Sequence, residues 1–145
     1  MNTLTMAFVC ITLAVSAMGE IDRGKMMEIG KKCKDETQAS DDEVKKLMNR
    51  ETPTTQPAKC MMACIFKTLG VLDDAGIFDG DANLKLAEES FKDKPEKIEK
   101  TKAFIAACKD RINSVADDAK ACERAVELHV CAMEKAKEFG YEADD

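Results

Sequence analysis

Tryptophan is absent from this chain, and tyrosine and histidine occur once each. With His129 as the single imidazole, a Ser-His-Asp or Cys-His catalytic set has one candidate base, on a helix whose thiols are expected to be bridged. No catalytic residue is assigned, and the chain does not read as an enzyme. The same scarcity weakens a zinc reading, because structural zinc favours close cysteine pairs matched by a second close pair. No metal and no other cofactor is expected. There is no Cys-x-x-Cys, so a thioredoxin-like redox pair is excluded. No Asn-x-Ser/Thr acceptor occurs, so N-glycosylation is not expected. Strand-like alternation is missing, and the acidic pairs Asp73-Asp74 and Asp117-Asp118 read as solvated caps in turns.

Charge is missing from one segment only. Residues 1–19, MNTLTMAFVCITLAVSAMG, carry no charged side chain, with an apolar run from Met6 to Ala17 and small residues around a cut after Ala17 or Gly19. The run is too short to span a bilayer and polar chain follows at once, so it reads as a secretory signal peptide. Its removal leaves residues 20–145 as one domain of 126 residues, with room for one moderate core. No later stretch approaches the length of a spanning helix. The 28 acidic and 22 basic residues all lie in that part, giving a net charge of −6. An acidic secreted domain is a poor partner for nucleic acid or an anionic membrane, so neither nucleic acid nor stable membrane association is expected.

What remains reads as helix almost throughout. The first helix covers about 22–35, with Met26, Ile29 and Cys33 at helical spacing. The second opens at Ser40-Asp-Asp-Glu43, a capping-box pattern, and carries Val44, Leu47 and Met48 inward. The segment 52–57, TPTTQP, cannot continue a helix because both prolines disfavour helical geometry just before them. A third helix is expected over 58–69, with Ala58, Met61, Met62, Ile65, Phe66 and Leu69 on a broad apolar face and Gly70 capping its end. The following GVLDDAGIFDGD (70–81) combines turn residues with four apolar ones, which predicts a loop that packs. Three more helices are expected at 82–90, from Pro95 to about 112, and over 118–138.

Seven cysteines are present, of which Cys10 leaves with the signal segment. An even six in a small secreted domain reads as three disulfides. Cys60 and Cys64 sit about 40° apart on one helix and one turn along it, too far apart to bridge while the helix stays intact. Cys122 and Cys131 are separated by roughly 13 Å of helical rise on opposite sides of their helix. Six cysteines allow 15 pairings, and the two exclusions leave ten. Geometry stops there, but it requires the third and sixth helices each to be gripped at two points.

The ordered spacing is Cys33-x26-Cys60-x3-Cys64-x43-Cys108-x13-Cys122-x8-Cys131. It resembles the six-cysteine signature of insect odorant-binding proteins, the pheromone- and general-odorant-binding family; the x3 and x8 intervals are the most diagnostic. The resemblance covers the whole chain after the signal segment. It implies the connectivity Cys33–Cys64, Cys60–Cys122 and Cys108–Cys131. It also implies an all-α fold, a compact six-helix disulfide-braced bundle enclosing an apolar cavity. The implied role is non-enzymatic: carriage of small hydrophobic molecules such as odorants or pheromones through the aqueous fluid of sensory hairs, as a monomer or weak homodimer, with an olfactory receptor as a further partner. Family members also occur in other body fluids, so a non-olfactory lipophile carrier stays open, as does a secreted interaction protein on the same scaffold.

An apolar stripe on a helix is more often plain core than cavity wall. A disulfide frame and adaptable methionines such as Met26, Met61 and Met62 favour a cavity here. The resemblance places Met62, Phe66, Ile105, Leu128 and Ala132 near positions that face ligand. Met26, Leu72, Phe78, Leu84 and Phe91 are added as candidates by their apolar character. His129 falls in the stripe Cys122, Ala125, Val126, Met133 and should point at least partly inward. It is either a satisfied boundary histidine or a group whose protonation loosens the cavity. In some relatives the C-terminal segment releases ligand at low pH; here the short tail either frays or folds over the mouth, with Phe139 or Tyr141 as the plug.

Overall fold

The structure is a computed structural model, and it describes residues 23–138. Six helices follow one another: α1 (Arg23–Thr37), α2 (Asp41–Met48), α3 (Gln56–Thr68), α4 (Gly80–Ser90), α5 (Pro95–Asn113) and α6 (Cys122–Glu138). No strand occurs among the described residues.

Local chemistry explains several helix ends. Ser40 accepts from the Glu43 backbone N–H while Glu43 accepts from that of Ser40, so the capping box at the start of α2 is complete. The Thr55 hydroxyl also donates to Glu43 and accepts from the Ala58 N–H, joining the start of α2 to the start of α3. At the end of α3, Gly70 takes φ +81°; its N–H reaches the Lys67 carbonyl and the Val71 N–H reaches that of Phe66. This pair of bonds is a Schellman motif, and the left-handed residue it needs is the glycine the sequence supplies.

Three helix starts fall two or more residues from expectation. Helix α3 starts at Gln56 instead of 58, because Pro57 sits in the first turn, where its missing N–H costs nothing. Helix α4 starts at Gly80 instead of 82, with the Asp79 side chain capping the Ala82 N–H. Helix α6 starts at Cys122 instead of 118: Ala121 has φ +59°, and the Asp117 carboxylate reaches over it to accept from the N–H groups of Glu123 and Arg124. Met48 is a correction of another kind. It is 38% exposed, while Leu47 is buried and Val44 packs partly buried against the core.

Helix α3 lies at the centre, packing against α1, α2 and α6; α5 packs against α6 and α4. The disulfides follow this order. Cys33–Cys64 ties α1 to α3, Cys60–Cys122 ties α3 to α6, and Cys108–Cys131 ties α5 to α6. Cys60 and Cys64, one turn apart, thus face two different neighbours. Leu72, Phe78, Ile112 and Leu128 are fully buried between these layers.

Candidate ligand-binding interior

Seven of the apolar residues proposed as lining come from four parts of the chain. Met26 on α1, Met62 and Phe66 on α3, Leu72 and Phe78 in the loop before α4, and Leu128 and Ala132 on α6 all belong to one buried apolar cluster. Ile105 is partly buried against it. Ile105 also meets Leu84 at an outer recess of about 370 Å³ rimmed by Lys102 and Lys109. Phe91 lies elsewhere: with Ala87 and Ile98 it forms a separate small cluster, and the Lys97 ammonium sits 5.2 Å from its ring centre. A second open recess, of about 450 Å³, runs over Cys60, Cys64 and Cys122, and its walls include Lys32, Glu36, Lys67 and Lys120. Phe139 and Tyr141 lie outside the described residues, as does the segment 1–19.

The loop wall is held by polar side chains that no periodicity announces. Asn113 Nδ2 donates to the Phe78 carbonyl at 2.8 Å and its Oδ1 accepts from the Phe78 N–H at 3.0 Å. The α5 side chain thus pairs with the loop as a neighbouring strand would. Asn83, almost fully buried, donates to the carbonyls of Val71 and Asp79. Buried Arg124 donates through Nη1 to the Gly76 carbonyl and, at 3.3 Å, to that of Asp118, and through Nη2 to that of Asp117. Asp73 accepts from the N–H groups of Ala75 and Ile77 within the loop. Gly76, at φ +79°, leaves no room for a side chain: a Cβ there would stand 2.7 Å from that of Ala121. With these bonds satisfied, Phe78 is fixed edge-on to Phe104, ring centres 6.0 Å apart. The sequence signal available was weak: asparagine inside a helix is a poor helix former that must be there for another reason.

His129 lies inside, 4% exposed. Burial pushes its pKa below the ordinary 6.5, opposed by a hydrogen bond to the Arg50 backbone. Its Nε2 is buried with no hydrogen-bond partner. On the opposite, wet side of α6, Arg111 from α5 donates through Nε to Glu127 and through Nη1 and Nη2 to Glu134, at 2.5 and 3.2 Å. Glu134 and then Glu127 hold that guanidinium charged, and Arg111 in turn holds the Glu134 carboxyl below its ordinary range. Among the described residues no three His, Cys, Asp or Glu side chains gather as metal ligands, and no helix is long and apolar enough to cross a membrane.

Residues 16–135 match the family model described as the PBP/GOBP family. The chain belongs to the PBP/GOBP family. Its six bridged cysteines and all-α fold are those of the six-cysteine odorant-binding type. Among curated proteins, general odorant-binding protein 19d of Drosophila melanogaster is 31% identical over 126 residues, 87% of this chain and 81% of the relative. General odorant-binding protein 28a of the same organism is 28% identical over 116 residues, 80% of this chain and 78% of the relative. Among solved structures, the odorant-binding protein dmelOBP28a from Drosophila melanogaster superimposes with a TM-score of 0.62 at 26% identity, covering 81% of this chain and 93% of that one. The relatives that this PBP/GOBP chain matches are thus named for binding odorants, not for a reaction.

Proposed function

We propose that this protein is an extracellular carrier: freed of residues 1–19, it takes small hydrophobic molecules into its interior and moves them through aqueous fluid, in olfaction. The observation that carries the reading is the convergence of Met62, Phe66, Leu72, Phe78 and Leu128 in one apolar cluster, braced by three disulfides, in a chain of the odorant-binding family. Three methionines, Met26, Met61 and Met62, belong to that cluster, and their unbranched side chains adapt to guests of different shape. The proposed lining is Met26, Met62, Phe66, Leu72, Phe78, Ile105, Leu128 and Ala132, with Leu84 and Phe91 nearer the periphery.

Energetics suit a carrier that must also release. Burying an aliphatic chain yields about 0.8 kcal/mol per methylene, so ten to fifteen carbons give roughly 8–12 kcal/mol. Association costs at least about 4 kcal/mol, which leaves affinities of about millimolar to micromolar before any polar contact. Since the chain has no tryptophan to report binding, an external fluorescent hydrophobic probe serves. Alcohols, aldehydes, esters and fatty acids should displace it, more tightly as the carbon chain lengthens. Absence of displacement, or displacement indifferent to chain length, would refute the proposal.

A further inference from the structure

Two buried side-chain nitrogens among the described residues lack a hydrogen-bond partner, Arg124 Nε and His129 Nε2; the Arg124 guanidinium makes three other bonds, which leaves Nε2 of His129 the less explained. Native cores pair nearly all their buried polar groups, and leaving one unpaired costs free energy. The ring is 4% exposed, and Nε2 itself is sealed from solvent. Burial disfavours the charged form, so the ring is neutral near pH 7 and has one N–H and one lone pair. Its bond to the Arg50 backbone favours protonation, which identifies that backbone group as an acceptor. The ring therefore donates from Nδ1 to the Arg50 carbonyl, and Nε2 is left as a bare acceptor.

The neighbours of the ring along α6 are small and apolar. Along α6, His129 shares a face with Ala125, Ala132 and Ala136, all buried and all small. Leu128, fully buried in the main apolar cluster, is adjacent in sequence. A lone pair in an apolar setting flanked by short side chains suits a molecule that is oily along its length and carries one hydrogen-bond donor.

We propose that Nε2 of His129 accepts a hydrogen bond from the hydroxyl of the carried ligand, so that the protein selects hydrophobic alcohols over ethers, aldehydes and esters of equal size. This rests on the carrier reading above and adds the ligand's functional group to it. A hydroxyl pairs the orphan nitrogen; an ether or carbonyl oxygen is itself an acceptor and leaves both atoms unpaired. Because Nε2 is already unpaired in the fold, the selection comes from a bond that the alcohol gains and the ether does not.

The test compares decan-1-ol with its isomer 1-methoxynonane and with decanal, at pH 7.5, on tag-free protein. Probe displacement should give decan-1-ol about a tenfold lower Kd than 1-methoxynonane, a step corresponding to one well-made buried hydrogen bond. In His129→Leu that preference should vanish while both still bind. Because His129 is the chain's only histidine, ring-labelled ¹⁵N-histidine gives a single residue to watch in the wild type, whether or not the variant folds. Its Nε2 resonance should move on adding decan-1-ol and stay in place with 1-methoxynonane. Equal affinities with an unmoved resonance would overturn the hydroxyl assignment and leave the carrier reading standing. Tighter binding of decanal would overturn it too, since it requires Nε2 to carry the proton. Failure of all three to bind would bring down the carrier reading itself, and this inference with it.

Discussion

Replacing Asn113 by alanine should loosen the wall of the interior without touching its apolar residues. The side chain makes two bonds, both to Phe78: Nδ2 donates to its carbonyl at 2.8 Å and Oδ1 accepts from its N–H at 3.0 Å. Each is worth about 1 kcal/mol net, and more if the backbone group it leaves behind stays dry. Both bonds are partly buried, so water reaches some of what is uncovered. The expected cost is about 2–3 kcal/mol, read as a lower urea midpoint with an unchanged slope. Phe78 should lose its fixed edge-on approach to Phe104.

Asn113→Asp is the sharper variant. Its carboxylate still accepts from the Phe78 N–H, but it sets a second negative oxygen against the Phe78 carbonyl. At neutral pH it should be at least as damaging as alanine. As pH falls into the carboxylate range the protonated acid regains a donor, so Asn113→Asp should recover relative to Asn113→Ala. If alanine costs less than about 0.5 kcal/mol, or the two variants run parallel from pH 7 to 4, the paired-bond reasoning is wrong.

Gly76→Ala should cost about 2–3 kcal/mol, from the left-handed backbone and a Cβ 2.7 Å from that of Ala121, whereas Gly70→Ala, with its nearest contact at 3.7 Å, should cost only about 1 kcal/mol. Equal costs in thermal unfolding would contradict the crowding at Gly76. Cys60→Ala with Cys122→Ala opens a loop with a sequence separation of 62 and should lower stability by about 4 kcal/mol in the chain-entropy account, measured by urea unfolding; a loss below 1 kcal/mol would count against it. His129 stays neutral in the fold below the 6.5 at which an exposed ring charges, so the unfolded chain binds the proton first. Stability should be full above pH 6.5 and decline as pH drops beneath it. That decline should flatten in His129→Gln, and an unchanged decline would assign it to other groups.

How much was legible in the sequence followed the range of each interaction. Cys60 and Cys64, one turn apart, excluded their own pairing and required two neighbours, which α1 and α6 turn out to be. The capping box at Ser40 and the glycine after Leu69 are local signals and were readable as such. The start of α6 was not, because Asp117 caps it from five residues before Cys122, across a left-handed Ala121. Met48 and Phe91 show the same limit within the core. Spacing marks an apolar face, but only packing decides that Met48 is partly exposed and that Phe91 joins a cluster of its own. Asn83, Asn113 and Arg124, which clamp the 70–81 loop, carried no pattern at all, since their partners are backbone groups up to 48 residues away.

Everything functional depends on an oily molecule entering the buried apolar cluster. Methyl-labelled methionine offers the most direct view, because Met62 is 7% exposed and belongs to the apolar cluster while Met27 is 69% exposed on α1. On titration with decan-1-ol, the Met62 and Met26 methyl signals should shift and saturate at one molecule per chain while Met27 stays still. Shifts confined to Met27, or a Met62 signal that never moves, would mean the guest stays outside.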